Sequence, residues 1–383
     1  MNNKVLTTAL AFGLAASAAF AAEEEEKAGG PTFKVSGEVE FDAYADWVPG
    51  ADDPDSRLGH SFASTFDLLF EVQFNEKWSA EAAISADDDG TAPGFAYDGA
   101  FIQYAHSDNL VIRGGDLTFS EGAFRYYGYD DPADDAIGMT EQDIRGVEAE
   151  IMGIYVGLGF TRGDGENEEC YEEEGVEVCP EGSYAYNLHL AYELGVAGHS
   201  IRPWIDYKSY QEADHNQFRA GVTAGLVFGE NVTIQLAYGL YYDYLASDED
   251  ETSVMNHAFA VEPEATFGPV FVKAAFYYAI IDDDGELQNP DMNSNPEYMF
   301  VYVEPGYTFN DLLSVGVAVE YHTNTLDSDE ELSTFDVGPR VYFTPVEGLE
   351  ITGFILADIK LGDDWGDDDD ASVQFGVETV FAF

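Results

Sequence analysis

The reactive groups of this chain are overwhelmingly carboxylates: 75 Asp and Glu stand against 15 Lys and Arg, giving a formal charge of −60. Such a charge repels nucleic acid and other polyanions at long range, and excludes them as partners. Three acidic runs, Asp87-Asp88-Asp89-Gly90, Asp282-Asp283-Asp284-Gly285 and Asp367 to Asp370, offer the hard oxygens that calcium takes. None has the D-x-[DN]-x-[DN]-G-x5-E spacing, so no defined metal site and no cofactor are predicted, only loose divalent binding at the acidic loops. The histidines are scattered, with no H-E-x-x-H, no G-x-S-x-G and no phosphate-cradling glycine loop. His189 is the one histidine placed where a lipase-type site could use it, but spacing assembles no such site and no enzyme is expected. Cys170 and Cys179 share one acidic segment, and in an exported chain a local disulfide is their expected state. A metal site is the alternative, though two thiolates without a nearby histidine make a poor zinc set.

The elements that position these charges are strands. Disorder is the first reading for so acidic a chain, but 45% hydrophobic residues with 24 Tyr and 27 Phe are too many for a solvated coil. Val373, Phe375, Val377, Thr379, Phe381 and Phe383 take every second position, with Gln374, Gly376 and Glu378 between them. Alternate side chains of a strand point to opposite faces, so this segment has one greasy and one wet side. Phe62, Phe66, Leu68, Phe70, Val72 and Phe74 repeat the pattern, as do Val232, Ile234, Leu236, Tyr238 and Leu240.

Short turns fall near residues 75–77, 106–109, 152–153, 195–198, 229–231, 268–269, 310–311 and 345–348. They are rich in Gly, Pro, Asn and Asp, the residues tight turns require. The connections between them are long and acidic, at 49–57, 87–93, 117–142, 164–181, 247–251, 282–295, 326–331 and 362–370. This rhythm predicts an all-β, transmembrane, antiparallel up-and-down barrel of about 16–18 strands, with short periplasmic turns and long extracellular loops. A soluble sandwich or propeller is the alternative; the greasy face persisting in every hairpin argues against it. Neighbouring aromatics such as Tyr241, Tyr242 and Tyr244, or Phe276, Tyr277 and Tyr278, are expected in an interfacial girdle.

If the greasy set meets lipid, the complementary set lines the bore. The acids expected there are Glu38, Glu40, Asp42, Asp67, Glu71, Glu81, Glu148, Glu150, Asp206, Asp243, Glu262, Glu264, Glu304, Glu320, Asp336, Asp358 and Glu378. The bases are fewer: Arg113, Arg202, Lys208, Arg219, Lys273, Arg340 and Lys360. Arg145 can be phased either way and is expected near a rim. A wet bore lined mostly by carboxylates attracts cations.

Lys4, the apolar stretch 5–20 and Ala19-Phe20-Ala21 read as a secretory signal with its cleavage site, an uncleaved anchor being the alternative. The chain then divides into a signal at 1–21, an acidic periplasmic linker at 22–32 and a barrel at 33–383. The rhythm of strands and turns, the signal and Phe383 together resemble the general bacterial porins over essentially the whole mature chain. Phe383 itself resembles the aromatic end of a closing strand that the barrel-assembly machinery reads. In that family the third long loop folds into the bore, and here that loop, 117–142, is expected to be the longest. The resemblance makes Glu121, Asp130, Asp131, Asp134 and Asp135 candidates for one side of a constriction, with Arg113 and Arg125 as counter-charges. The facing wall carries no arginine ladder, which departs from the family, and an outward surface loop is the alternative. The function implied is passive diffusion of small hydrophilic solutes through the outer membrane, cation-preferring. The rivals are a substrate-selective channel, for sugars for example, and a structural or adhesive barrel without open conductance. Outer-membrane lipid and lipopolysaccharide are the expected surroundings, and the resemblance suggests a homotrimer.

Overall fold

The computed structural model describes residues 30–49, 58–88, 94–107, 109–120, 141–162, 171–173, 176–178, 184–210, 214–246, 251–280, 297–327, 330–361 and 371–383. Among them, eighteen antiparallel strands close into one barrel. The first six are β1 (Thr32–Trp47), β2 (Leu58–Gln73), β3 (Trp78–Asp88), β4 (Gly94–Ser107), β5 (Leu110–Ser120) and β6 (Glu141–Ile151). Next come β7 (Ile154–Arg162), β8 (Tyr184–Tyr192, continued by Leu194–Val196), β9 (His199–Tyr210), β10 (Asp214–Phe228), β11 (Val232–Ala246) and β12 (Glu251–Phe267). The last are β13 (Val270–Ile280), β14 (Glu297–Asn310), β15 (Leu313–Asp327), β16 (Glu330–Val346), β17 (Leu349–Leu361) and β18 (Ala371–Ala382). A separate small hairpin pairs Tyr171–Glu173 with Val176–Val178.

Each strand pairs with its neighbours in sequence, and β1 closes the ring against β18 from Glu38↔Ala382 to Trp47↔Val373. Phe383 extends that seam by exchanging both backbone hydrogen bonds with Gly37, at 2.9 and 3.0 Å. A β-carbon on Gly37 would press on the Phe383 ring and on the Asp67 carbonyl, so only glycine fits there. In a barrel every strand's backbone groups find partners, which is what a strand needs in hydrocarbon.

The tight turns fall on one rim and the longer connections on the other. Met152-Gly153 and Ala197-Gly198 have positive φ at both central residues. That is the geometry of two-residue hairpin turns whose twist matches the flanking strands. Two expected long loops are shorter than the sequence suggested. β5 and β6 stay paired through Leu117↔Ile144 to Ser120↔Glu141, so the ends of the 117–142 segment are strand. β15 and β16 likewise leave only 328–329 between them. Polar strand ends with charged side chains look like loop in sequence, yet they continue the ladder. The connection 163–183 thereby exceeds 121–140 in length, so the third loop is not the longest.

The outer face is greasy and solvent-facing in the isolated chain: Phe375, Val377, Phe381 and Phe383 on the seam are all exposed, as are Phe41, Phe62 and Phe259. The inner face holds the buried positions. On β11 these are Ala237, Tyr241 and Asp243, and on β14 Tyr298, Phe300, Tyr302 and Glu304. Tyr241 and Tyr277, expected in an outer girdle, therefore point inward. Their neighbours Tyr242 and Phe276 face out. Consecutive aromatics put a ring on both faces, so alternation could not choose between them.

Candidate functional site

The inner face divides into an acidic arc and an aromatic arc. The acidic arc spans β18, β1, β2 and β3. Glu38 stands across from Asp67 and Asp42 across from Glu378. Glu71 stands across from Glu81. Lys34 meets this arc at Glu71, with Nζ 2.6 Å from the carboxylate. Each of these acids shares a face because it holds the even or odd phase opposite to the exposed apolar residues beside it, such as Val35 and Phe41.

Next around the wall, Arg113 on β5 is tied to its neighbours. It donates to Glu148 at 2.5 Å, to Glu150 at 3.3 Å and to Gln103 at 2.9 Å. Glu148 is almost fully buried, so this pair is a structural clasp between β5 and β6. It leaves Arg113 little freedom to act as a counter-charge across the bore. Arg202 on β9 lies over the Tyr155 ring, 4.5 Å from its centroid, and 3.6 Å from Glu193. Asp206 meets His189 at 2.6 Å, and both are buried. His189 is fully enclosed, which removes it as a nucleophile's base for a solute in the bore.

The aromatic arc runs from β10 to β17. Arg219 lies over Tyr241, 5.3 Å from its centroid, and Tyr241 donates to Asp243 at 2.5 Å. Tyr277 donates to Glu262, and its ring stacks on Phe300 at 5.4 Å. Glu264 is paired in register with Lys273, and the Lys273 ammonium sits 4.4 Å from the centre of the Tyr342 ring. Glu304 is fully buried; Tyr302 donates to it, and the Tyr342 hydroxyl lies 2.8 Å from both its oxygens. Arg340 reaches Glu320 at 3.2 Å and lies over the Phe354 ring. Asp336 is paired in register with Glu320 on one side and Asp358 on the other.

Arg113, Arg202, Arg219, Lys273 and Arg340 thus sit on strands scattered around the wall, each against a carboxylate or a ring. Burying tyrosine hydroxyls against carboxylates satisfies both groups and explains how acids survive on the packed side. The packed aromatic half of the wall was missed from sequence; the clue was Tyr or Phe two residues from an acid, as in Tyr241/Asp243 and Tyr302/Glu304.

Arg145 takes the outward phase. Four residues into β6 from its long-loop end, it donates to Asp116 at 2.5 Å, and Tyr97 donates to the same carboxylate at 2.7 Å. The constriction candidates Glu121, Arg125, Asp130, Asp131, Asp134 and Asp135, and the cysteines Cys170 and Cys179, lie outside the described residues, as does the signal segment.

A closed antiparallel ring with aliphatics outside and carboxylates inside defines the chain as a transmembrane β-barrel of the outer-membrane type. Solved structures share this fold. A loop-deletion mutant of OmpT, an outer membrane protein of Vibrio cholerae, aligns with a TM-score of 0.54 at 11% identity, covering 92% of this chain and 100% of that one. OccK8 (OprE) of Pseudomonas aeruginosa aligns with a TM-score of 0.51 at 11% identity, covering 92% and 98%. OccAB4 of Acinetobacter baumannii gives 0.51 at 10% identity, covering 91% and 98%. No curated protein matches the sequence. The family model for Gram-negative porins matches residues 7–339, and the chain belongs to that family. It is a protein of the bacterial outer membrane.

Proposed function

We propose that the barrel is a passive diffusion channel for small hydrophilic solutes that favours cations. The acidic arc carries this reading: Glu38, Asp67, Glu71, Glu81, Asp42 and Glu378 converge on one stretch of inner wall, with Lys34 held at Glu71. Fixed carboxylates beside water raise the local cation concentration and deplete anions, most strongly at low salt. Solutes follow their own gradient, and no bond is made or broken on the way. The connection 121–140 narrows the bore in this reading, and its support is the inner-face pair Leu117 and Ile144, apolar and buried where β5 and β6 lead into that connection. Lipid and lipopolysaccharide surround the wall, the assembly machinery delivers it, and further copies complete a homotrimer.

Planar-bilayer conductance under a salt gradient tests the function. A reversal potential of cationic sign supports it, an anionic sign refutes the ion preference, and no conductance refutes the channel. Replacing Asp130, Asp131, Asp134 and Asp135 by Asn should weaken the cation preference if 121–140 enters the bore.

A further inference from the structure

We infer that β15 and β16 form a site on the bore wall for a divalent transition-metal cation, made by Glu320, His322 and Asp336. One ligand atom from each lies within 4.8 Å of the others. Ligands bonded at about 2.0–2.2 Å around one ion sit up to roughly 4.3 Å apart, so small side-chain rotations complete the set. His322 is oriented for the task. Its Nδ1 meets the Tyr298 hydroxyl at 3.4 Å, and its Nε2 faces Glu320 at 3.8 Å. That partner on the far nitrogen is the outer contact that metal-bound histidines ordinarily carry.

A second observation points to the same cation. Asp358 stands directly across from Asp336, and its Oδ1 is sealed from solvent with no hydrogen-bond donor, while Oδ2 accepts from Ser372 at 3.3 Å. Two carboxylates face each other there. The cations packed near the cluster are Arg340, held to Glu320, and Lys360, paired in register with Thr334. They leave three carboxylates against two bases. The imidazole selects zinc, cobalt or nickel over magnesium and calcium, which take oxygen ligands. His322 remains partly exposed, which gives an ion in the bore a path in. An ion held there adds positive charge to the wall and weakens its pull on other cations.

Zinc binding to the detergent-folded barrel, followed by titration calorimetry in excess calcium, tests the site. Excess calcium competes for oxygen-only sites and leaves a histidine site available. One zinc per chain should survive, and Tyr298→Phe should weaken it about tenfold. His322→Gln and Asp336→Asn, each checked for folding by heat-modifiable migration, should abolish it. Zinc binding lost in excess calcium, or retained by both ligand variants, overturns the site. The readout is independent of conductance, so failure here is distinct from failure of the channel reading.

Discussion

Two lysines placed three residues apart on β18 test the inside and outside of the wall. Val377 lies at the middle of the strand, pairs with Ala43 and Gly353, and is exposed on the greasy side. Gln374 has the opposite phase; it lies across from Asp46 on one side and from the buried Leu356 on the other. Twelve residues make up β18. At about 3.3 Å per residue and a tilt near 40° they span roughly 30 Å, which puts Val377 close to the bilayer midplane. A lysine there should cost about 2–4 kcal/mol. Gln374→Lys should be neutral or stabilise by up to about 1 kcal/mol, because it gains an opposite charge across the strand pair. Urea unfolding in lipid vesicles, followed by tryptophan fluorescence, measures both. With a slope of about 3 kcal/mol per molar, Val377→Lys should lower the midpoint by roughly 1 M and Gln374→Lys should leave it in place. Equal losses, or a larger loss for Gln374→Lys, would refute the assignment of faces and with it the water-filled, acid-lined bore.

Glu38→Gln combined with Asp67→Asn should reduce the reversal potential measured at low salt, with a smaller change at high salt as screening removes the field. Arg113→Met should lower the unfolding free energy by about 1–3 kcal/mol, because it leaves the buried Glu148 without its donor; adding Glu148→Gln should restore part of the loss. Gly37→Val should slow refolding and leave a larger heat-unfolded fraction on gels, since its side chain collides with Phe383 at the seam.

Much of this barrel can be read from residues two apart. Val373 to Phe383 and Phe62 to Phe74 announce their faces because the greasy and wet sets differ sharply, and glycine-bearing turns such as Met152-Gly153 punctuate them. Where both faces carry the same chemistry the pattern fails, as at Tyr241-Tyr242 and Phe276-Tyr277. Arg145 shows a different limit. Its outward phase is tolerable near the rim because Asp116, more than two dozen positions upstream, accepts its hydrogen bond and neutralises it, with Tyr97 donating to the same carboxylate. Contacts across strands carry the rest. Glu320, His322 and Asp336 meet only through the β15–β16 register, and Glu304 finds Tyr342 only across the sheet. Local sequence sets strand phase, whereas register decides which polar groups become partners.

The β1–β18 seam also governs how the molecule must be made. Residues near 40 and near 380 meet there, so the contact that completes the ring has almost the greatest separation along the chain. Loop-closure entropy places such a contact late. Until it forms, each incomplete sheet offers two raw borders of unpaired amides and carbonyls, both templates for a neighbouring copy. Yield of the finished ring should therefore fall with protein concentration during refolding, however stable the product is once sealed.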